Sequence, residues 1–403
     1  MISVEEAQAR ILCNSSRLSE EQVYLLDATG RVLARDLRAS IDLPPFDNSS
    51  MDGYAIHAGD SLDAHEAHPI ALTVDGLVQA GHPAMNPLPA RSARKIMTGA
   101  PLPPEADAVV AIEEVERRES CIVLHHPVKR GSLIRQRGQD TRQGATLLAA
   151  GTVLNSARIG LLASQGVILV PVTRKPRVAI LATGDELVEP GQTLLPGQIP
   201  NSNSYALSAA VMESGGIALR YPAVADRREA VAEALRQAAS EADIVLSSGG
   251  VSVGDYDLVK SVLQTMGQLD FWRVDMKPGK PLASGFLGKT PFLGLPGNPV
   301  SALVTFELFA RPLIRSLLGD TDWPRPVISL PLAQEFSEIS DRRHYVRVAI
   351  RADANGALMA WPTGPQDSHL QTSWTNAQGL MIIPPHQGRL PQGSIWPVML
   401  LKA

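Results

Sequence analysis

Cysteine is almost missing from this chain. The only two, Cys13 and Cys121, stand far apart and form no Cys-x-x-Cys pair, which argues against a disulfide framework or a structural zinc site and makes a reducing cytoplasm the expected location. The nine histidines include no His-x-x-x-His pair, and the adjacent His125 and His126 have no evident third partner, so a histidine metal centre is not expected. No apolar stretch approaches the roughly 18 residues a membrane span needs before Gly, Pro or a charge interrupts it. Excess positive charge is absent too: the formal net charge is −4, which leaves no global footprint for nucleic acid or a membrane surface. An anionic ligand would have to be held by a local cluster of basic groups.

What is present is a 403-residue chain with 44% apolar residues, enough for several globular domains, each with its own core. The N-terminus carries acidic residues early and no apolar signal core, and reads as a first helix with Ser3 and Glu6 as a capping box. Residues 1–172 have helical pattern near each end and Gly- and Pro-punctuated strand pattern between, at Ile70–Val78, Ala108–Ile112 and Cys121–His125. This predicts an elongated α+β region with a mostly β subdomain at about 47–140. Residues 176–320 alternate strand runs at 177–181, 217–221, 244–246 and 292–295 with helical runs at 204–212, 227–239, 258–266 and 299–317. That alternation predicts a doubly wound α/β domain built on a parallel sheet, with its sites at the carboxyl ends of the strands. After Trp323-Pro-Arg-Pro326, short strands at 327–330, 344–350, 380–383 and 394–401 predict a small C-terminal β domain at 327–403.

The most informative segment begins at Asp243, where Ile-Val-Leu leads into Ser247-Ser-Gly-Gly-Val-Ser-Val-Gly-Asp-Tyr-Asp257. Small residues let a backbone approach a ligand closely, and free N–H groups near a helix start favour phosphate-like charge. Asp255 and Asp257 would repel a bare anion, which suggests a divalent cation between carboxylate and phosphate oxygens; a simple helix cap at Asp257 remains the plain alternative. Thr183-Gly-Asp-Glu186 puts Asp185 and Glu186 at another strand end, where they could hold Mg²⁺ or form a solvated turn. Asp226-Arg-Arg-Glu229 has the spacing of a capping box, a role that alone would account for Asp226.

Lys277-Pro-Gly-Lys280 presents two ammonium groups from a stiff turn and forms a plausible pocket for a tetrahedral dianion. Gly294-Leu-Pro-Gly-Asn-Pro-Val-Ser301 makes Asn298 a natural N-cap, Pro299 a first helical residue and Ser301 a hydroxyl in the first turn. In the first region, Phe46-Asp-Asn-Ser-Ser-Met-Asp52 crowds polar groups together, Met97-Thr-Gly-Ala-Pro-Leu-Pro103 is another stiff turn, and Arg135-Gln-Arg-Gly-Gln-Asp140 adds guanidinium groups suited to oxyanions.

Taken in order, Phe46–Ala55, Met97–Pro103, Thr183–Leu187, Ser248–Gly254, Lys277–Pro281 and Leu295–Ala302 resemble the motif series of the molybdopterin molybdenumtransferases, the MoeA-type enzymes related to the C-terminal domain of gephyrin. The resemblance covers nearly the whole chain. It implies insertion of molybdate into adenylylated molybdopterin with release of AMP, substrate dithiolene sulfurs as the molybdenum ligands, and Mg²⁺ as cofactor. It implies Asp52, Thr98 and Asp140 on one wall of the catalytic cleft, and Glu186, Asp226 and Asp257 as the acidic set that holds the metal. By the same resemblance Ser248, Gly249, Gly250 and Ser252 cradle the substrate. Lys277, Lys280 and Ser301, joined by Arg347 and Ser368 from the C-terminal domain, contact molybdate or phosphate.

A homodimer with each cleft formed between chains is implied as well, and a molybdopterin-adenylylating protein as a partner. Asp367 stands where the family commonly has Gly and sets a negative charge beside the implied oxyanion pocket. Two other readings use the same α/β domain: a pterin-nucleotide or nucleotide pyrophosphatase, which would release AMP without molybdate, and a gephyrin-like scaffold, which would bind partners without turnover.

Overall fold

The structure, a computed structural model, describes residues 1–13, 15–249, 262 and 265–401. The chain divides into two compact units. One comprises residues 1–35, 150–159 and 169–403, and the other residues 36–149 and 160–168. Among the described residues no helix is long and apolar enough to cross a membrane.

The larger unit is built on a six-stranded sheet, ordered Ile217–Arg220, Arg177–Ala182, Ile244–Ser248, Thr290–Leu295, Pro281–Leu287, Gln268–Arg273. Strand Arg177–Ala182 explains why both faces are covered. Val178 and Ile180 join a core with Leu207 and Val211 of helix Ser202–Glu213, while Ala179 and Leu181 join another with Val231, Leu235 and Ala238 of helix Arg228–Glu241. Successive side chains of a strand point to opposite faces, so an unbroken apolar run needs a helix layer on each.

The expected α/β fold is present, but the sheet is mixed rather than parallel throughout. Four strands are parallel, and Pro281–Leu287 and Gln268–Arg273 run antiparallel at one edge. The cause is local. Leu287 pairs with Thr290 across only Gly288 and Lys289, with Gly288 at φ +62°, and so short a turn can only reverse the chain. Helix Arg228–Glu241 begins one residue later than a cap at Asp226 would require: Arg227 holds the N-cap position and makes no side-chain cap bond. The expected helix at 258–266 lies largely outside the described residues. The capping role of Ser3 is present, with its Oγ accepting the Glu6 N–H at 3.0 Å.

Helix Pro299–Thr305 continues through a π-turn at Phe306–Ala310 into Arg311–Leu318, and Val300, Val304, Phe309, Leu313 and Leu317 bury its apolar stripe. The C-terminal strands form a second sheet, ordered Met276–Lys277, Arg343–Ala352, Gly379–Ile383, Ile395–Leu400, Val327–Pro331, with Leu358–Pro362 also paired to Arg343–Ala352. The sequence pattern did not reveal Leu358–Pro362. Nor did it reveal that Met276–Lys277, from the α/β region, would pair in parallel with Arg343 and His344.

The smaller unit holds a six-stranded sheet, ordered Ala108–Ala111, Gly53–Ile56, Ser92–Ile96, Ile70–Val78, Cys121–Leu124, Glu116–Arg117. Tyr54, Ile56, Leu72, Ala93 and Ile122 pack in one core, and Ala55, Val78, Ile96 and Val109 in another. Gly53 is dictated by contact, because a Cβ there would stand 2.0 Å from the Val110 carbonyl oxygen.

Candidate active site

In the α/β sheet, strand Arg177–Ala182 is followed in sequence by its neighbour on one side, Ile217–Arg220, and then by its neighbour on the other, Ile244–Ser248. Crevices form at the carboxyl ends of strands where the winding reverses in this way. A cleft of about 550 Å³ lies there, lined by Thr183, Glu186, Asn201, Asn203, Ser248, Gly249, Asn298, Pro299, His369 and Gln371, among others. Backbone shape keeps it open. Gly249 has φ +91°, its N–H donates to the Leu295 carbonyl at 3.1 Å, and a Cβ on Gly297 would lie 3.7 Å from the Gly249 Cα.

Asn203 ties two rims of the cleft together. Its Nδ2 donates to Ser248 Oγ at 2.8 Å and to the Gly297 carbonyl at 2.7 Å. The acidic edge is built on a glycine turn. At φ +148°, Gly184 leaves room for the Glu186 carboxylate, whose oxygens a Cβ would meet at 2.4 to 2.7 Å, and the Asp226 N–H donates to Asp185 Oδ1 at 3.1 Å. Ser248, Gly249 and Glu186 therefore share the cleft, and Asp226 sits against the same turn. Gly250, Ser252 and Asp257 lie outside the described residues.

The basic groups form a second cluster, which meets the cleft at the start of helix Pro299–Thr305. Asn298 is the N-cap residue there, as expected, yet its side chain makes no cap bond. Its Nδ2 donates instead to Ser368 Oγ at 2.8 Å, and the Val300 N–H donates to the Ser368 carbonyl at 3.0 Å, which places Ser368 beside the first turn that carries the buried Ser301. The Lys277–Lys280 turn packs on the same helix. Gly279 has φ +102°, and a Cβ there would come within 2.6 Å of Thr305 Cγ2. Lys277 pairs with Glu338, and the Asp341 carboxyl is lowered first by its hydrogen bond from Arg342 and in small part by the charge of Lys280.

Arg347 is fully buried. Its Nε donates to Ser373 Oγ at 2.8 Å, and its Nη2 donates to the carbonyls of Pro365 and Asp367 at 3.1 and 3.2 Å. Its Nη1 has no partner among the described residues, and burial lowers the guanidinium to about 10. His344 is 1% exposed, with neither ring nitrogen bonded among the described residues, and burial pushes it down to about 4 against the opposing pull of Glu338.

Within the smaller unit, Asp52 and Thr98 meet directly. Both the Thr98 N–H and its hydroxyl donate to Asp52 Oδ1 at 2.7 Å, and these bonds hold the Asp52 carboxyl below the usual carboxylate range. Asp140 stands on a neighbouring loop, where its N–H donates to the Leu43 carbonyl at 2.9 Å. Several site residues escaped the sequence reading. Asn203, His369 and Gln371 line the cleft, and Glu338 and His344 face Lys277. Only Asn203 carried a usable signal, the polar run Asn201-Ser-Asn-Ser204 just after the pair Ile199–Pro200.

Three family descriptions match the chain in succession: "MoeA N-terminal region (domain I and II)" over residues 2–166, "Probable molybdopterin binding domain" over 179–316 and "MoeA C-terminal region (domain IV)" over 329–401. The chain is similar to the molybdopterin molybdenumtransferase of Haemophilus influenzae, with 34% identity over 396 residues, 98% of this chain and 97% of that one. It is similar to molybdopterin molybdenumtransferase 2 of Mycobacterium tuberculosis, with 37% identity over 391 residues, 95% of this chain and 96% of that one. Among solved structures, a molybdopterin biosynthesis MoeA protein from Pyrococcus horikoshii superposes with a TM-score of 0.87 at 29% identity, over 99% of this chain and all of the other.

Proposed function

This chain belongs to the molybdopterin molybdenumtransferase family, and from that membership we propose that it inserts molybdate into adenylylated molybdopterin, releasing AMP and yielding molybdenum cofactor. The cleft at the strand ends takes the substrate, with Ser248 and Gly249, and with Gly250 and Ser252 of the same loop, cradling its phosphates. Molybdate lies against Lys277, Lys280, Ser301, Arg347 and Ser368, where hydroxyls and cations donate to its oxygens. The substrate's dithiolene sulfurs take the molybdenum, so neither cysteine of the chain is needed as a ligand. One observation carries the reading: Arg347, fully buried among carbonyls, leaves Nη1 without a partner among the described residues, and an oxyanion would satisfy it.

The acidic residues suit a hard divalent cation. Among the described residues no group of three or more His, Cys, Asp or Glu could hold a metal ion, but the Glu186 carboxylate lies at the Gly184 turn, the Asp226 backbone is bonded to Asp185 of the same turn, and Asp257 is the third member of the set. Bound there, Mg²⁺ would neutralise pyrophosphate charge during AMP release. Asp52, Thr98 and Asp140 form the facing wall, contributed by the second chain of a homodimer. We further assign the division into residues 1–172, with a β subdomain near 47–140, 176–320 and 327–403, a cytoplasmic location, and a molybdopterin-adenylylating protein as upstream partner.

Purified chain given adenylylated molybdopterin, Mg²⁺ and molybdate is expected to release AMP and form active cofactor. AMP release that does not depend on molybdate would identify a pyrophosphatase instead, and partner binding without turnover would identify a scaffold.

A further inference from the structure

The Lys277 ammonium already has an anion, the carboxylate of Glu338. We propose that Glu338 sets the oxyanion affinity of this site: its carboxylate holds Lys277 in the resting chain, and the incoming dianion binds by taking that ammonium from it. The proposal deepens the functional reading above and rests on its assignment of Lys277 to the oxyanion pocket.

Both partners are positioned by the fold. Lys277 lies on the short strand that pairs with Arg343 and His344. Glu338 lies midway along a short segment pinned on both sides: Phe336 exchanges N–H and carbonyl bonds with Leu390 at 3.0 and 2.7 Å, and the Ser340 carbonyl accepts the His386 N–H at 2.7 Å. Between those two anchors Glu338 is exposed.

The charges around it favour an exchange. Glu338 acts on His344 and Arg347 as well as on Lys277, so it opposes the positive potential of the pocket at three of its groups. The Lys277 and Glu338 side chains keep 29% and 38% exposure, so water reaches the pair and it can open. A partly exposed ion pair of this kind is worth up to about a factor of five in an equilibrium constant. A tetrahedral dianion can bridge several donors of the cluster at once, and a single carboxylate cannot match that. Glu338 thus keeps singly charged anions from occupying the pocket and lowers its affinity for the proper one.

Titration calorimetry of the full chain with sodium molybdate tests the assignment. Glu338→Gln should tighten molybdate binding about fivefold, whereas Glu338→Asp, which keeps the charge, should stay near the wild type. Damage to the fold cannot produce tighter binding. Unchanged or weaker binding in Glu338→Gln, with Lys277→Ala still weakening it, overturns the role of Glu338 and leaves the pocket standing. Absence of molybdate binding in the wild type, or indifference of binding to Lys277→Ala, overturns both.

Discussion

Buried, with both ring nitrogens unbonded among the described residues, His344 should make the chain lose stability on mild acidification by an amount that can be worked out. Its ordinary value of 6.5 falls to about 4 in the fold, first because burial disfavours the charged ring, an effect that Glu338 opposes and that Lys277, Arg347 and Arg342 reinforce. The sign follows from which state binds the proton. Below pH 6.5 the unfolded chain protonates this ring while the native chain does not, so stability falls until the native ring also titrates near pH 4. Each pH unit in that window costs about 1.4 kcal/mol, which gives about 2 kcal/mol by pH 5 and about 3 kcal/mol once the window is crossed. Urea denaturation of the wild type and of His344→Leu at pH 7, 6 and 5 isolates this contribution, because the other titrating groups are common to both. The expected result is a stability difference that shifts toward the leucine variant as pH falls. A difference that stays constant between pH 7 and 5 would refute the argument and show that the ring is charged or solvated in the native chain.

Three further substitutions probe the scaffold around the site. Gly279→Ala puts a Cβ 2.6 Å from Thr305 Cγ2 at φ +102°, and should cost about 2 kcal/mol of thermal stability while raising the molybdate needed for half-maximal turnover. Arg347→Lys loses the fork that reaches Ser373, Pro365 and Asp367, and should destabilise the chain by about 3 kcal/mol in denaturant melts, with little recovery on adding molybdate. Asn203→Ala unties Ser248 from Gly297, and should cost about 1 kcal/mol in stability but raise the KM for the nucleotide-bearing substrate about tenfold.

The α/β domain was legible because its strands are buried on both faces and its helices are periodic. Continuous apolar runs such as Val178–Leu181 leave little room for another reading. The antiparallel edge was hidden because strand direction depends on one tight turn at Gly288-Lys289, a signal two residues long. The motifs Thr183–Leu187, Lys277–Lys280 and Leu295–Ser301 carried their own turn chemistry, and the structure brings most of their polar residues to the cleft or to the basic cluster. Glu338 and His344 could not be read in advance. Each is ordinary in its own sequence context, and what makes them notable is the pairing of Met276–Lys277 with Arg343–His344 across more than sixty intervening residues. The capping pattern at Asp226 misled by one residue for a related reason: the spacing is local, while the backbone N–H of Asp226 is committed to the distant Asp185.

Asn298 explains how the two clusters can work as one. An N-cap asparagine ordinarily spends its side chain on its own helix, and here it reaches Ser368 across the boundary between the α/β domain and the C-terminal sheet. The Ser368 carbonyl takes the Val300 N–H in return, so one short loop satisfies groups at the helix start that the cap would otherwise have served. Arg347 holds the same loop from behind through the carbonyls of Pro365 and Asp367, while the Asp367 carboxylate stays exposed. Asp367 is thus bound to Arg347 through its carbonyl, while its exposed carboxylate also acts on that guanidinium by charge. His369 and Gln371, next along the same loop, line the substrate cleft, and the Gln371 side-chain amide donates to Ser202 Oγ, so the segment that meets the helix start also builds part of the cleft wall.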